Sequence, residues 1–82
     1  MDTATEGFIL ANKFRKAVFI EVATGEHSPK IIAKKHHLVP QMVDSAAGDL
    51  KEKNLLAEDD GQLTLTEHGE KIYADMRGRD VL

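Results

Sequence analysis

The chain contains only two prolines, Pro29 and Pro40, and each stands where a helix has to begin. Ser28-Pro29 pairs a capping hydroxyl with a residue whose missing N–H costs nothing in the first helical turn. The helix it opens carries Ile32 and Ala33 and is expected to stop near His36-His37. Pro40 opens a second helix running to Lys53, with Val43, Ala46, Ala47 and Leu50 on one face and Asn54 suited to a left-handed stop. Only His37-Leu38-Val39 separates the two, so residues 28–53 predict a helix-turn-helix.

The flanks fit around that unit. Phe8, Ala11, Phe14, Val18 and Val22 recur at helical spacing and predict one helix from Glu6 to about Ala23, ended by Thr24-Gly25. Ile9, Leu10, Phe19 and Ile20 make that helix apolar on more than one face, which calls for a partner beyond its own core. Downstream, Asp60-Gly61 is the dipeptide of a two-residue hairpin turn, flanked by the apolar-containing segments 55–59 and 62–65. The implied register sets Leu56 opposite Leu65 and Asp59 opposite Gln62. Thr66 then caps a last helix over residues 66–77, with Glu67 favourable at its positive end and Ile72, Tyr73 and Met76 on its buried side. Helix, helix-turn-helix, hairpin wing at 55–65, helix: the expected fold is α+β, mostly helical, a winged helix-turn-helix with a three-helix core.

With 82 residues the chain has room for a single domain, taken as residues 1–82. The absence of cysteine removes disulfides, thiolate zinc sites and cysteine nucleophiles. No apolar run approaches the ~18 residues of a membrane span. Met1–Glu6 lacks the basic flank of a signal peptide, so a soluble cytoplasmic protein with no membrane contact is expected. The net charge of −3 is unevenly spread: residues 1–41 carry six Lys/Arg against four acids, and residues 42–82 five against ten. From His27 to Val43 there is no acid, but three lysines and three histidines. A basic stretch on an acidic chain is suited to a polyanion.

At this point the residues resemble a known family, the winged helix-turn-helix transcription regulators of the MarR/PadR/ArsR type. Ser28-Pro29-Lys30-Ile31-Ile32-Ala33-Lys34-Lys35 resembles the start of their helix-turn-helix. Leu38-Val39-Pro40-Gln41-Met42-Val43 and Leu50-Lys51-Glu52-Lys53-Asn54-Leu55-Leu56 resemble the recognition helix and its exit. Leu65-Thr66-Glu67-His68-Gly69 matches the Leu-Thr-x-x-Gly that follows the wing. The resemblance spans roughly residues 8–77 and implies a DNA-binding regulator. Several positions depart from the pattern. The face expected to meet DNA holds Asp44 and Asp49, the wing tip is Glu58-Asp59-Asp60-Gly61, Val39 replaces a capping Ser, and His36 replaces a core Leu. Gly48, in mid-helix, costs ~1 kcal/mol relative to alanine, so it either marks a close approach there or is merely tolerated.

In such a fold the second paired helix enters the major groove of double-stranded DNA with its N-terminal residues at base edges. Gln41, Asp44 and Ser45 are the expected base readers: Gln suits adenine, Asp accepts from cytosine, Ser is permissive. Ser28, Lys30, Lys34, Lys35 and His37 are the expected phosphate contacts, and Lys13, Arg15 and Lys16 could extend them. So few cations per chain favour a homodimer reading two half-sites. It is expected to join through the first and last helices, with Tyr73, Met76, Val81 and Leu82 near the seam.

Catalysis is not expected. His36 and His37 diverge by about 100° on a helix, metal-ligand spacings are absent, and no phosphate loop or nucleophile elbow is present. No cofactor or metal is expected. The alternative is a winged-helix module that binds another protein through Ile31, Met42 and the acidic wing.

Overall fold

A computed structural model of the chain describes residues 3–82. Met1 and Asp2, where the N-terminal reading begins, lie outside the described residues. Five helices and a hairpin follow in order: α1 Thr3–Leu10, α2 Lys13–Ala23, α3 Pro29–Lys35, α4 Pro40–Glu52, β1 Leu56–Asp59, β2 Gln62–Leu65 and α5 Glu67–Gly78.

The long first helix predicted over residues 6–23 is in fact two. Asn12 leaves helical geometry (φ −133°, ψ 122°), and its Oδ1 accepts from the N–H groups of Phe14 at 2.8 Å and Arg15 at 3.1 Å. Apolar periodicity runs across this break, which is why spacing alone did not reveal it. The deciding chemistry is N-capping by one polar side chain.

The helix-turn-helix forms as its prolines dictate. Pro29 and Pro40 each occupy the first turn, and Ser28 Oγ accepts from Ile31 N–H. Val39 supplies no side-chain cap to α4. Each of α2 to α5 ends on a left-handed residue, and the following N–H reaches back into the last turn. Gly25 and Asn54 do this as expected, while His37 (φ 54°) and Asp80 (φ 58°) do so without the freedom of glycine.

The hairpin has the expected register, Leu56 opposite Leu65 and Asp59 opposite Gln62, around Asp60-Gly61, both at positive φ. Leu55 lies just before the strand, fully buried. One core gathers Ile9, Val18, Phe19, Ile32, Val43, Leu50, Leu55, Leu63, Ile72 and Met76 from every helix and the wing. Phe19 meets Tyr73 edge-on, ring centroids 6.1 Å apart. Met76 is wholly within this core and so cannot line an outer seam. Gly48 makes no close approach, since a Cβ there would meet nothing within 4 Å.

The C-terminal helix is fixed at both ends. Thr66 Oγ1 accepts from Gly69 N–H at 2.9 Å and donates to Asn54 O at 2.6 Å, while Thr66 N–H donates to Leu55 O at 3.1 Å. At the far end Arg79 pairs with buried Glu6 of α1 and, at 3.2 Å, with Asp75. No helix among the described residues is long and apolar enough to cross a membrane.

Candidate nucleic-acid interface

The outer face of α4 is set by what its inner face buries. With Val43, Ala46, Ala47 and Leu50 in the core, Gln41 and Ser45, four residues apart, point away from it, and both are exposed. Asp44 is also exposed, but it turns toward the wing. It lines an open cleft of about 400 Å³ with Ser28, Pro29, Lys30, Pro40, Asp60, Gly61 and Gln62. The starts of α3 and α4 and the tip of the wing therefore converge on one surface, and that surface includes Ser28, Lys30 and Asp44.

Two of the carboxylates that count against this face are engaged within the chain. Asp49 Oδ2 lies 3.6 Å from the Arg15 guanidinium, which itself rests over the Phe8 ring, 3.9 Å from its centroid. Arg15 is thereby drawn inward, away from any extended footprint. Glu58 of the wing pairs with Lys51 of α4 at 2.6 Å. Asp44, Glu52, Asp59 and Asp60 remain as the exposed carboxylates of α4 and the wing that form no ion pair among the described residues.

The five expected phosphate contacts divide. Lys30 and Lys34 are exposed and form no ion pair among the described residues, and His37 is exposed at the turn. Ser28 is half-buried, its hydroxyl oxygen occupied as the cap of α3. Lys35 is committed elsewhere: its ammonium donates to Glu21 Oε1 at 2.8 Å, and His36 Nε2 donates to Glu21 Oε2 at 2.7 Å. The Lys35 ammonium holds the Glu21 carboxyl below its ordinary range, against the opposing effect of burial and with further help from His36. The same pairing raises Lys35 above its ordinary value. His36, read as a substitute for a core leucine, is thus an exposed partner of α2.

His27 was missed by sequence reasoning. Its carbonyl accepts from Leu63 N–H at 2.8 Å, and its ring Nδ1 lies 2.6 Å from Leu63 O. A carbonyl can only accept, so Nδ1 carries the proton and donates. The segment before α3 is therefore clipped to β2 at two points. No periodicity marks such a residue; the sole signal was its place immediately before a helix cap. Among the described residues no group of three or more His, Cys, Asp or Glu could hold a metal ion.

No family model matches the chain, and no curated protein matches it in sequence. A solved structure, quinone-bound YodB from B. subtilis, is similar over 98% of this chain and 92% of that chain, with a TM-score of 0.79 at 15% identity. At that identity the likeness is one of fold. Together with the order of elements, it identifies the architecture as a winged helix, mostly helical, with a two-stranded wing.

Proposed function

We propose that this protein is a DNA-binding transcription regulator of the MarR/PadR/ArsR kind, cytoplasmic and without enzymatic activity, that reads the major groove with α4. The observation that carries this reading is the pair of exposed ammonium groups of Lys30 and Lys34, in no ion pair among the described residues, on the helix that precedes α4 with its exposed Gln41 and Ser45. Internal pairing of Asp49 with Arg15 and of Glu58 with Lys51 further reduces repulsion between this face and phosphate. Lys30, Lys34, His37 and Ser28 position the backbone and Gln41 and Ser45 meet base edges, while Asp44, turned toward the wing, stays off them.

Lys30 and Lys34 make a small footprint on the helix-turn-helix, so we propose a homodimer. Among the described residues, Leu10 on α1 and Val81 and Leu82 after α5 are the exposed large apolar residues outside the helix-turn-helix, and they support a seam through the first and last helices. Sedimentation equilibrium at tens of micromolar reads twice the 9.1 kDa chain mass if the seam forms.

The exposed apolar side chains of Ile31, Val39 and Met42 favour a second reading, a protein-binding winged helix. Titration of random duplex DNA against salt separates the two. Phosphate binding makes log affinity fall with log salt by ~0.9 per phosphate neutralised. A protein-binding module gives no such slope with any duplex, and that result refutes the DNA reading.

A further inference from the structure

The start of α4 is unusual in what it exposes. Val39, directly before the helix, is 58% exposed, and Met42, one turn in, is 43% exposed. Both flank Gln41, with Met42 about 100° further round the helix. Neither packs in the core, and no lysine or arginine stands among residues 38–45 to read guanine. Resting on the DNA reading above, we propose that Val39 and Met42 are specificity residues that contact thymine methyl groups, making an A·T-rich major groove the preferred ligand.

Thymine C5-methyl is the only apolar group of the four bases on the major-groove edge, so it alone gives an apolar side chain a partner there. Gln41 between them matches the N6/N7 edge of adenine, the base that pairs with thymine. Guanine, by contrast, offers two acceptors that call for a cationic fork, and this stretch has none. The occupant is also favoured by charge. Lys30 and Lys34, exposed and in no ion pair among the described residues, stand on the helix that precedes α4 and suit a polyanion, with Asp44 and Asp60 in the cleft beside Lys30 as the opposing charges.

Replacing thymine with uracil removes the methyl and leaves base pairing and charge unchanged. Fluorescence anisotropy therefore compares a short alternating adenine–thymine duplex with its adenine–uracil counterpart across a salt series. The expected result is tighter binding to the thymine duplex, by about fourfold for each methyl withdrawn from contact. Inosine–5-methylcytosine against inosine–cytosine duplexes should show the same preference for the methylated member. In Met42→Gln, an exposed and shape-conserving change, the thymine-to-uracil ratio should fall toward one. Equal affinities for thymine and uracil duplexes, with a salt slope present for both, overturn this inference and leave the DNA reading intact. An unchanged ratio in Met42→Gln overturns the assignment to Met42. Absence of salt-dependent binding to every duplex overturns both proposals together.

Discussion

Replacing Gly69 with alanine tests how the C-terminal helix is seated. A Cβ at this position would lie 2.2 Å from Leu55 O and 3.1 Å from Leu55 C, both backbone atoms that cannot swing aside. Relief requires α5 to retreat by roughly 1 Å, since dispersion contacts between heavy atoms settle near 3.5 Å. That retreat strains three hydrogen bonds at once: Thr66 N–H to Leu55 O, Gly69 N–H to Thr66 Oγ1, and Thr66 Oγ1 to Asn54 O. At ~1 kcal/mol each they total about 3 kcal/mol, within the usual range for overpacking. The gain from exchanging glycine for alanine in a helix returns at most ~1 kcal/mol, leaving a net loss of about 2–3 kcal/mol. A domain of this size has roughly 4–12 kcal/mol in total. Thermal unfolding followed by far-UV circular dichroism should therefore show Tm lowered by about 10–20 °C. Gly48→Ala is the internal control. It lies in mid-helix with open space around the new methyl, so the same substitution should raise Tm by several degrees. A Gly69→Ala protein melting within ~3 °C of the parent would refute the close approach of α5 to Leu55.

Lys34→Ala should lower the salt slope of DNA binding by ~1, whereas Lys35→Ala should lower it by less, because Glu21 already holds that ammonium; equal effects would mean the pair opens on binding. Gln41→Ala should cost ~1–3 kcal/mol on the preferred sequence only, while Asp44→Ala should raise affinity for all duplexes by removing a carboxylate from the approach. Competition titrations with preferred and random DNA distinguish these, and a sequence-independent loss in Gln41→Ala would displace α4 from the reading role. The Glu21 cluster gives a pH signature. Its folded pKa lies below the ordinary 4.5, so its stabilisation is fully present above that value and is lost as pH falls through the folded pKa. The Tm difference between the parent and Glu21→Gln should thus be steady near neutrality and fade below about pH 4.5; a difference that persists in acid would show that the pairing is not electrostatic.

Elements with a chemical start or stop were legible in the sequence. Pro29, Pro40, Asp60-Gly61 and Thr66 each impose a local geometry that the rest of the chain accommodates, so α3, α4, the hairpin register and α5 lie where they were expected. The break at Asn12 was hidden because Phe8 to Val22 keep their apolar spacing through it, and a cap shows in the sequence only as one polar residue among several. The candidate interface was legible residue by residue but not in its electrostatics. Sequence gives the sign of Asp49, Glu58 and Lys35; their engagement with Arg15, Lys51 and Glu21 depends on helix packing, which brings distant positions together. His27 was illegible for the same reason, because its partner Leu63 belongs to a different element.

The clip between His27 and Leu63 also bears on how the wing meets anything at all. A two-stranded hairpin with four residues in each strand is marginal by itself in water. Here Leu56 and Leu63 are anchored in the core, and the His27 backbone and ring secure β2 from its other side. The ordering entropy of the wing is therefore spent once, during folding. A partner that touches it meets a preorganised element, and the binding free energy carries no charge for immobilising that loop.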